Sequence, residues 1–273
     1  MEYRQIRVIG GKGSVPSQFT NSLRGLAVDT HGQLHAAGDS EIKVFDAAGR
    51  LKRRWSTARP VHSVAVAGDG AVYAGEERQI EIFDGTGKLV NSWRDENLLG
   101  RVTAIGFVKD GVLAGDATDR AIRHFDHDGK LRNNIGKDNP VHGLLIPNGV
   151  VDFAVDAQGV IHAANPGKHR VERYLPNGAL LGHIGRFHGT DPAGFGGCCN
   201  PTNVAVGDRI YVTEKAGPRA KVYDFTGVLQ AVIASAPFHP NCKNMSVAVD
   251  ARGAVYIADT VHLVIFVFEP VTL

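Results

Sequence analysis

Val247-Ala248-Val249-Asp250, then Gly253, then Val255-Tyr256-Ile257-Ala258-Asp259, then Val264-Ile265-Phe266-Val267-Phe268-Glu269 reads as three short strands joined by two tight connections. β-Branched and aromatic residues fill the runs and Asp and Gly punctuate them, which is the chemistry of β-hairpins. The same unit recurs upstream. Its first strand appears as Gly25-Leu26-Ala27-Val28-Asp29, Ser63-Val64-Ala65-Val66-Ala67, Ala104-Ile105-Gly106-Phe107, Asp152-Phe153-Ala154-Val155-Asp156 and Thr202-Asn203-Val204-Ala205-Val206. With Ala248, the landmark positions 27, 65, 106, 154, 205 and 248 are spaced by 38, 41, 48, 51 and 43 residues. The third strands end in Phe45-Asp46, Phe83-Asp84, Phe125-Asp126, Tyr174-Leu175, Tyr223-Asp224 and Phe268-Glu269, and all but the last turn at a following glycine before a fourth strand. No stretch sustains a 3.6-residue apolar period that competes with this reading.

The last repeat ends at Pro270-Val271-Thr272-Leu273, which leaves no room for a fourth strand. Gln5-Ile6-Arg7-Val8-Ile9-Gly10 matches the fourth strand of the fourth repeat, Leu180-Leu181-Gly182-His183-Ile184-Gly185, and like it leads through a Gly-containing loop into a first strand. An N-terminal strand that completes the last sheet would close a ring and remove its exposed edges. The expectation is therefore an all-β chain: one domain, residues 1–273, folded as a six-bladed β-propeller of four-stranded antiparallel blades.

Composition narrows the function classes. With 43% hydrophobic and 21% charged residues the chain is globular, and no apolar run reaches the ~18 residues of a membrane-spanning helix. A formal charge of +2 gives no electrostatic case for nucleic acid or an anionic membrane. Around the expected channel, Arg24, Arg59, Arg101, Lys168, Lys215 and Lys243 alternate with Asp116, Asp191, Glu214 and Asp259, so tight, salt-sensitive RNA binding is not expected. Met1-Glu2-Tyr3-Arg4 is not a signal peptide, but a processed extracytoplasmic form would read the same, so the compartment stays open.

Candidate chemistry gathers at one mouth of the channel. The longest connections run from 137 to 150 and from 186 to 201, and the second carries His188, Asp191, Cys198 and Cys199. Long loops in compact folds are disproportionately functional. Cys199 and Cys242 each stand six residues before a landmark, which predicts equivalent positions in adjacent blades. Three readings follow: a Cys199–Cys242 disulfide; a zinc or copper ion held by Cys198, Cys199 and Cys242 with a nitrogen from His62, then His188 or His239; or a reactive thiol near Arg24, His62 or Lys215. Three cysteines leave at least one thiol out of any internal disulfide. Three residues before the landmarks lie Arg24, His62, Thr103, Val151, Thr202 and Met245, expected to ring the mouth. Glu214 and Lys215, in the blade that follows the cysteine loop, join Arg24 as candidate substrate-binding or proton-transfer groups. Acidic and amide residues at Asp39, Glu76, Asp116, Asn165 and Asp259 fit the turn preference of those side chains.

The run Gly25-Leu26-Ala27-Val28-Asp29, the later Val255-Tyr256-Ile257-Ala258-Asp259 and the closing Ile265-Phe266-Val267-Phe268 resemble NHL repeats, and the likeness extends over the whole chain. That resemblance implies the propeller. It leaves function open between protein- or RNA-binding modules and a metal-dependent peptidylglycine-hydroxyglycine lyase, whose histidine-rich site is not matched by one channel-mouth histidine and three cysteines. Two expectations result. One is a thiolate-metal or thiol-dependent enzyme, a lyase or oxidoreductase, acting on a small molecule at the channel mouth. The other is a non-catalytic platform for a protein or RNA partner, stapled by a structural disulfide.

Overall fold

The computed structural model, described for residues 1–137, 143–215, 217–233 and 237–271, contains six four-stranded antiparallel sheets arranged as blades. Blade 1 spans residues 25–56, blade 2 63–94, blade 3 102–135, blade 4 153–184 and blade 5 203–233. Blade 6 is built from Val247–Val249, Val255–Asp259, Val264–Val271 and, as its outer strand, Glu2–Gly10. Closure therefore occurs as expected, with Glu2 opposite Val271 and Gly10 opposite Val264, across a bulge between Gln5 and Arg7.

The kinship between the N-terminal strand and the outer strand of blade 4 extends into the loops that follow. Gly10 and Gly185 both take left-handed φ, +83° and +84°, and each backbone passes close beneath an aromatic ring, Phe19 or Phe195. A Cβ at Gly185 would come within 2.2 Å of the Phe195 ring. Both loops then form a short parallel bridge, Lys12 with Phe19 and Phe187 with Phe195.

Hairpin chemistry is uniform. Asp46, Asp84, Asp126 and Asp224 each accept N–H bonds from the residues two and four positions on, at 2.8–3.1 Å. The glycine three positions on takes the positive φ that such a turn requires. Alternation on the strands buries one aliphatic or aromatic set between each pair of blades, giving six clusters such as Leu113, Ile122, Ile135, Phe153 and Tyr174 between blades 3 and 4.

The blades are latched at their inner strands by polar side chains. Ser63 Oγ donates to Val102 O at 3.0 Å, and Thr103 Oγ1 donates to Val151 O at 2.8 Å. Farther round, Asp152 Oδ2 accepts from Val204 N at 2.7 Å, Thr213 Oγ1 donates to Met245 O at 2.9 Å, and Ser246 Oγ accepts from Leu26 N at 3.0 Å. Blades 1 and 2 instead touch directly: a Cβ on Gly25 would meet the Ser63 backbone at 2.9 Å. These contacts satisfy backbone groups that the strand ladders leave free near the axis.

Candidate functional site

The inner strands enclose a cavity of about 720 Å³ at the axis. Its lining includes Arg24, His62, Arg101, Asp152, Asn203 and Lys243, one from each of the six blades, placed by the loop that leads into the blade or, for Asn203, by the first residue of its inner strand. Arg101 is fixed by a 2.9 Å bond from its guanidinium to Gly149 O. Asn148, from the loop entering blade 4, donates to Asn244, from the loop entering blade 6, at 3.5 Å, so two amides meet near the mouth of the cavity.

Charge here is unbalanced. Among the described residues, Arg24, Arg101 and Lys243 have no carboxylate within ion-pair distance. His62 shows the consequence: burial, then Arg24, then Arg101, push its imidazole down to about 4, so it is neutral at physiological pH. The acid facing the cavity, Asp152, is pushed up to about 7 by burial, opposed by the bonds from Val204 N and the Asn203 side chain. Two buried lining atoms, Asn148 Oδ1 and Asn203 Oδ1, have no hydrogen-bond partner among the described residues, an arrangement that invites a donor from a ligand.

The placements of the candidate residues divide sharply. Arg24, His62 and Thr103 line the cavity as expected, but Val151, Thr202 and Met245 are buried between blades. In blades 4, 5 and 6 the lining positions are Asp152, Asn203 and Ser246, one residue later and two before the landmark. Those residues share the landmark's side of the strand because side chains alternate with period two. Asp152 and Asn203 were thus legible in the repeat register and were missed by an offset of one.

The cysteine expectation needs correction. Cys198, Cys199 and Cys242 are all free thiols, so the Cys199–Cys242 disulfide is not formed, and none of the three lines the cavity. Cys242 is buried behind the wall: its Sγ accepts from Thr260 N at 3.3 Å and lies 3.4 Å from Thr260 Oγ1. The expected zinc or copper ligands are not assembled either, since no three His, Cys, Asp or Glu side chains among the described residues group as a metal site. His62 lines the cavity, which no cysteine does, while His188 Nδ1 accepts from Thr190 N and Asp191 N and His239 Nδ1 accepts from Asn241 N.

Glu214 is also not a cavity group. It is fully buried and ion-paired with Arg219 and, at 3.1 Å, with Lys221. Lys215 lies outside the lining; its backbone N–H bonds Asn200 Oδ1 at 2.9 Å and its ammonium approaches Cys199. Turn roles hold for Asp39, Asp116, Asn165 and Asp259, whose side chains collect backbone N–H groups of the loops entering their own blades, such as Asp39 with Asn21 and Ser22 at 2.8 Å. Part of the other long loop, residues 138–142, lies outside the described residues.

No family model matches the chain, and no curated protein resembles it in sequence. Solved structures do match. Virginiamycin B lyase from Staphylococcus aureus superposes with a TM-score of 0.65 at 10% identity, covering 99% of this chain and 100% of the lyase. A chain of the mitotic checkpoint complex gives 0.65 at 12%, covering 98% and 92%. The WD40 propeller domain of Doa1 gives 0.61 at 16%, covering 92% and 79%. This likeness is one of fold. The neighbours include a lyase, a chain of the mitotic checkpoint complex and a WD40 propeller domain, so the architecture leaves the choice between catalysis and binding to the cavity itself. Among the described residues no helix is long and apolar enough to cross a membrane.

Proposed function

We propose that this propeller binds a small anionic molecule, a carboxylate or a phosphate ester, at the mouth of its central channel. The observation that carries the reading is the set of Arg24, Arg101 and Lys243 around a ligand-sized cavity, without a carboxylate partner among the described residues. Guanidinium groups match carboxylate and phosphate geometry with paired donors, and a walled cavity strengthens that attraction by excluding water. Asn203 and Asn148 offer acceptor oxygens to hydroxyl or N–H groups of the ligand. His62, neutral between two guanidiniums, serves as a hydrogen-bonding group or proton acceptor and not as a further cation. The thiolate-metal enzyme expected from the sequence has no such support, because Cys242 and His62 do not join Cys198 and Cys199 in a group of three ligands among the described residues.

The test is calorimetry and thermal shift with succinate, citrate, inorganic phosphate and glucose 6-phosphate, with glucose as the uncharged control. At least one anion should bind one to one, weaken as salt rises, and lose at least tenfold in affinity in Arg24→Glu and Arg101→Glu. An anion beside the guanidiniums relieves the field that depresses His62, so binding should take up protons and tighten as pH falls from 7 to 5. If every anion leaves the melting temperature unchanged, or if both charge reversals bind as well as the parent, the reading fails. Tight binding of an acidic protein segment with no small anion bound would instead favour the platform function.

A further inference from the structure

The loop between blades 4 and 5 holds a feature that the cavity does not use. Cys198 and Cys199 are adjacent in the chain, and their sulfurs are 2.8 Å apart. That is inside the ~3.5–4.0 Å at which even the smaller carbon atoms pack. Cys198 is exposed and Cys199 buried, so a solvent-borne reagent reaches one sulfur first and finds the other behind it.

The backbone around the pair is held in place. Cys199 adopts left-handed φ, +66°, a conformation unfavourable for a non-glycine residue that persists only where its surroundings enforce it. Asn200 supplies that enforcement, donating from Nδ2 to Gly196 O at 2.9 Å and accepting at Oδ1 from Lys215 N at 2.9 Å. Burial, then the neighbouring Cys198, push the Cys199 thiol up, and the Lys215 ammonium that approaches it opposes them only in part. Cys242 stands apart, engaged with Thr260.

We infer that Cys198 and Cys199 form a redox pair that a hydroperoxide converts into a disulfide between adjacent residues. Cys198 loses its proton and its thiolate attacks the hydroxyl oxygen of the peroxide; an S–O bond forms, the O–O bond breaks, and the departing hydroxide or alkoxide takes up that proton and leaves as water or an alcohol. Cys199 sulfur then attacks the Cys198 sulfenic acid, the S–S bond forms, and the hydroxyl departs as water with the Cys199 proton. Two thiols are oxidised and one peroxide is reduced. Adjacent Cα atoms are ~3.8 Å apart, below the ~4.4–6.8 Å span of unstrained disulfides, so the bridge is a strained one that mild thiols reopen.

Peroxide titration of the full-length protein, followed by alkylation, intact mass and peptide mapping, tests this. One equivalent of hydrogen peroxide should consume two of the three thiols. The product should be a monomer two hydrogens lighter, mapping to the peptide that contains both Cys198 and Cys199, and dithiothreitol should restore it. Cys242→Ser should behave identically. Cys198→Ser, exposed and expected to retain the parent melting temperature, should not lose the two hydrogens. A gain of oxygens on the pair, a dimer linked through Cys198, a bridge to Cys242, or three thiols surviving peroxide would each overturn the assignment.

Discussion

Blades 2 and 5 place charged residues at the same two register positions and resolve them in opposite ways. In blade 5, Glu214 ends the second strand and Lys221 lies on the third, opposite Val212. In blade 2 the corresponding residues are Glu76 and Glu81, with Glu81 opposite Ala74. All four side chains are buried. Blade 5 pairs its charges: Lys221 reaches Glu214 at 3.1 Å and Gly194 O at 2.5 Å, and its ammonium sits 5.0 Å from the Phe195 ring centre. Blade 2 sets two carboxyls together. Among the described residues neither oxygen of Glu76 has a well-formed hydrogen bond, and burial, then Glu81, push its carboxyl up to about 8. A propeller thus tolerates a buried acid at this position in two states: ionised with a cation, or protonated beside another acid.

Breaking the blade 5 pair should have the largest effect. Lys221→Met removes a buried cation, leaves Glu214 with the half-exposed Arg219, and strips Gly194 O of its donor, so the loss should be about 3–5 kcal/mol. Urea unfolding should show a lower midpoint with an unchanged slope. A loss below ~1 kcal/mol would mean that the pair contributes no more than an exposed one and that the contrast with blade 2 has no energetic content.

Blade 2 should respond to pH. Below about 4.5, the ordinary glutamate value, folded and unfolded chains both carry the Glu76 proton and the residue is neutral to stability. As pH rises the unfolded chain releases that proton, while the folded chain keeps it until about 8, so the folded state loses stability across this window. Glu76→Gln removes the linkage and should stabilise the protein at pH 8 by about 1–3 kcal/mol, with no gain at pH 4.5. Melting temperatures of parent and variant from pH 4.5 to 8 check this, and parallel curves would break the assignment. The acids of the outer turns act at the other end of the scale: Asp84, Asp126 and Asp224 are held below the usual range by N–H and hydroxyl donors, so their contribution is lost only as pH falls below about 4.

Strand register carried far in this sequence, and loop offsets did not. The landmark residues 27, 65, 106, 154, 205 and 248 occupy equivalent ladder positions, because hydrogen-bonded strands with buried faces allow no slippage. The closing strand was legible for the same reason, its Ile-Gly ending repeated at Ile184-Gly185. Cys199 and Cys242, each six residues before a landmark, lie outside any ladder. One sits in a left-handed turn beside Cys198; the other ends a turn in which its N–H bonds His239 O, and its side chain packs with Phe238 and Met245. Equal spacing across loops of different shape fixes no common position. The buried charges of blades 2 and 5 were readable in principle as polar residues on otherwise apolar third strands, but only the folded neighbours decide whether an acid there meets Lys221 or Glu81.

The smallest effect should come from the second cation of blade 5. Arg219 pairs with Glu214 from a side chain that is 33% exposed, so solvent screens it and holding a long side chain in place offsets part of the attraction. Arg219→Ala alone should cost less than about 1 kcal/mol, because Lys221 still neutralises Glu214. In the Lys221→Met background the same change removes the last cation from a buried carboxylate, and its cost should rise well above that value. Urea denaturation of the two single variants and the double variant closes the cycle. A strictly additive result would show that Arg219 and Lys221 act independently, so that Glu214 is not the shared centre of the blade 5 network. If Arg219→Ala cost as much as Lys221→Met, the outer guanidinium would be the true counterpart of Glu81 and the correspondence between the two blades would have to be redrawn two residues along the strand.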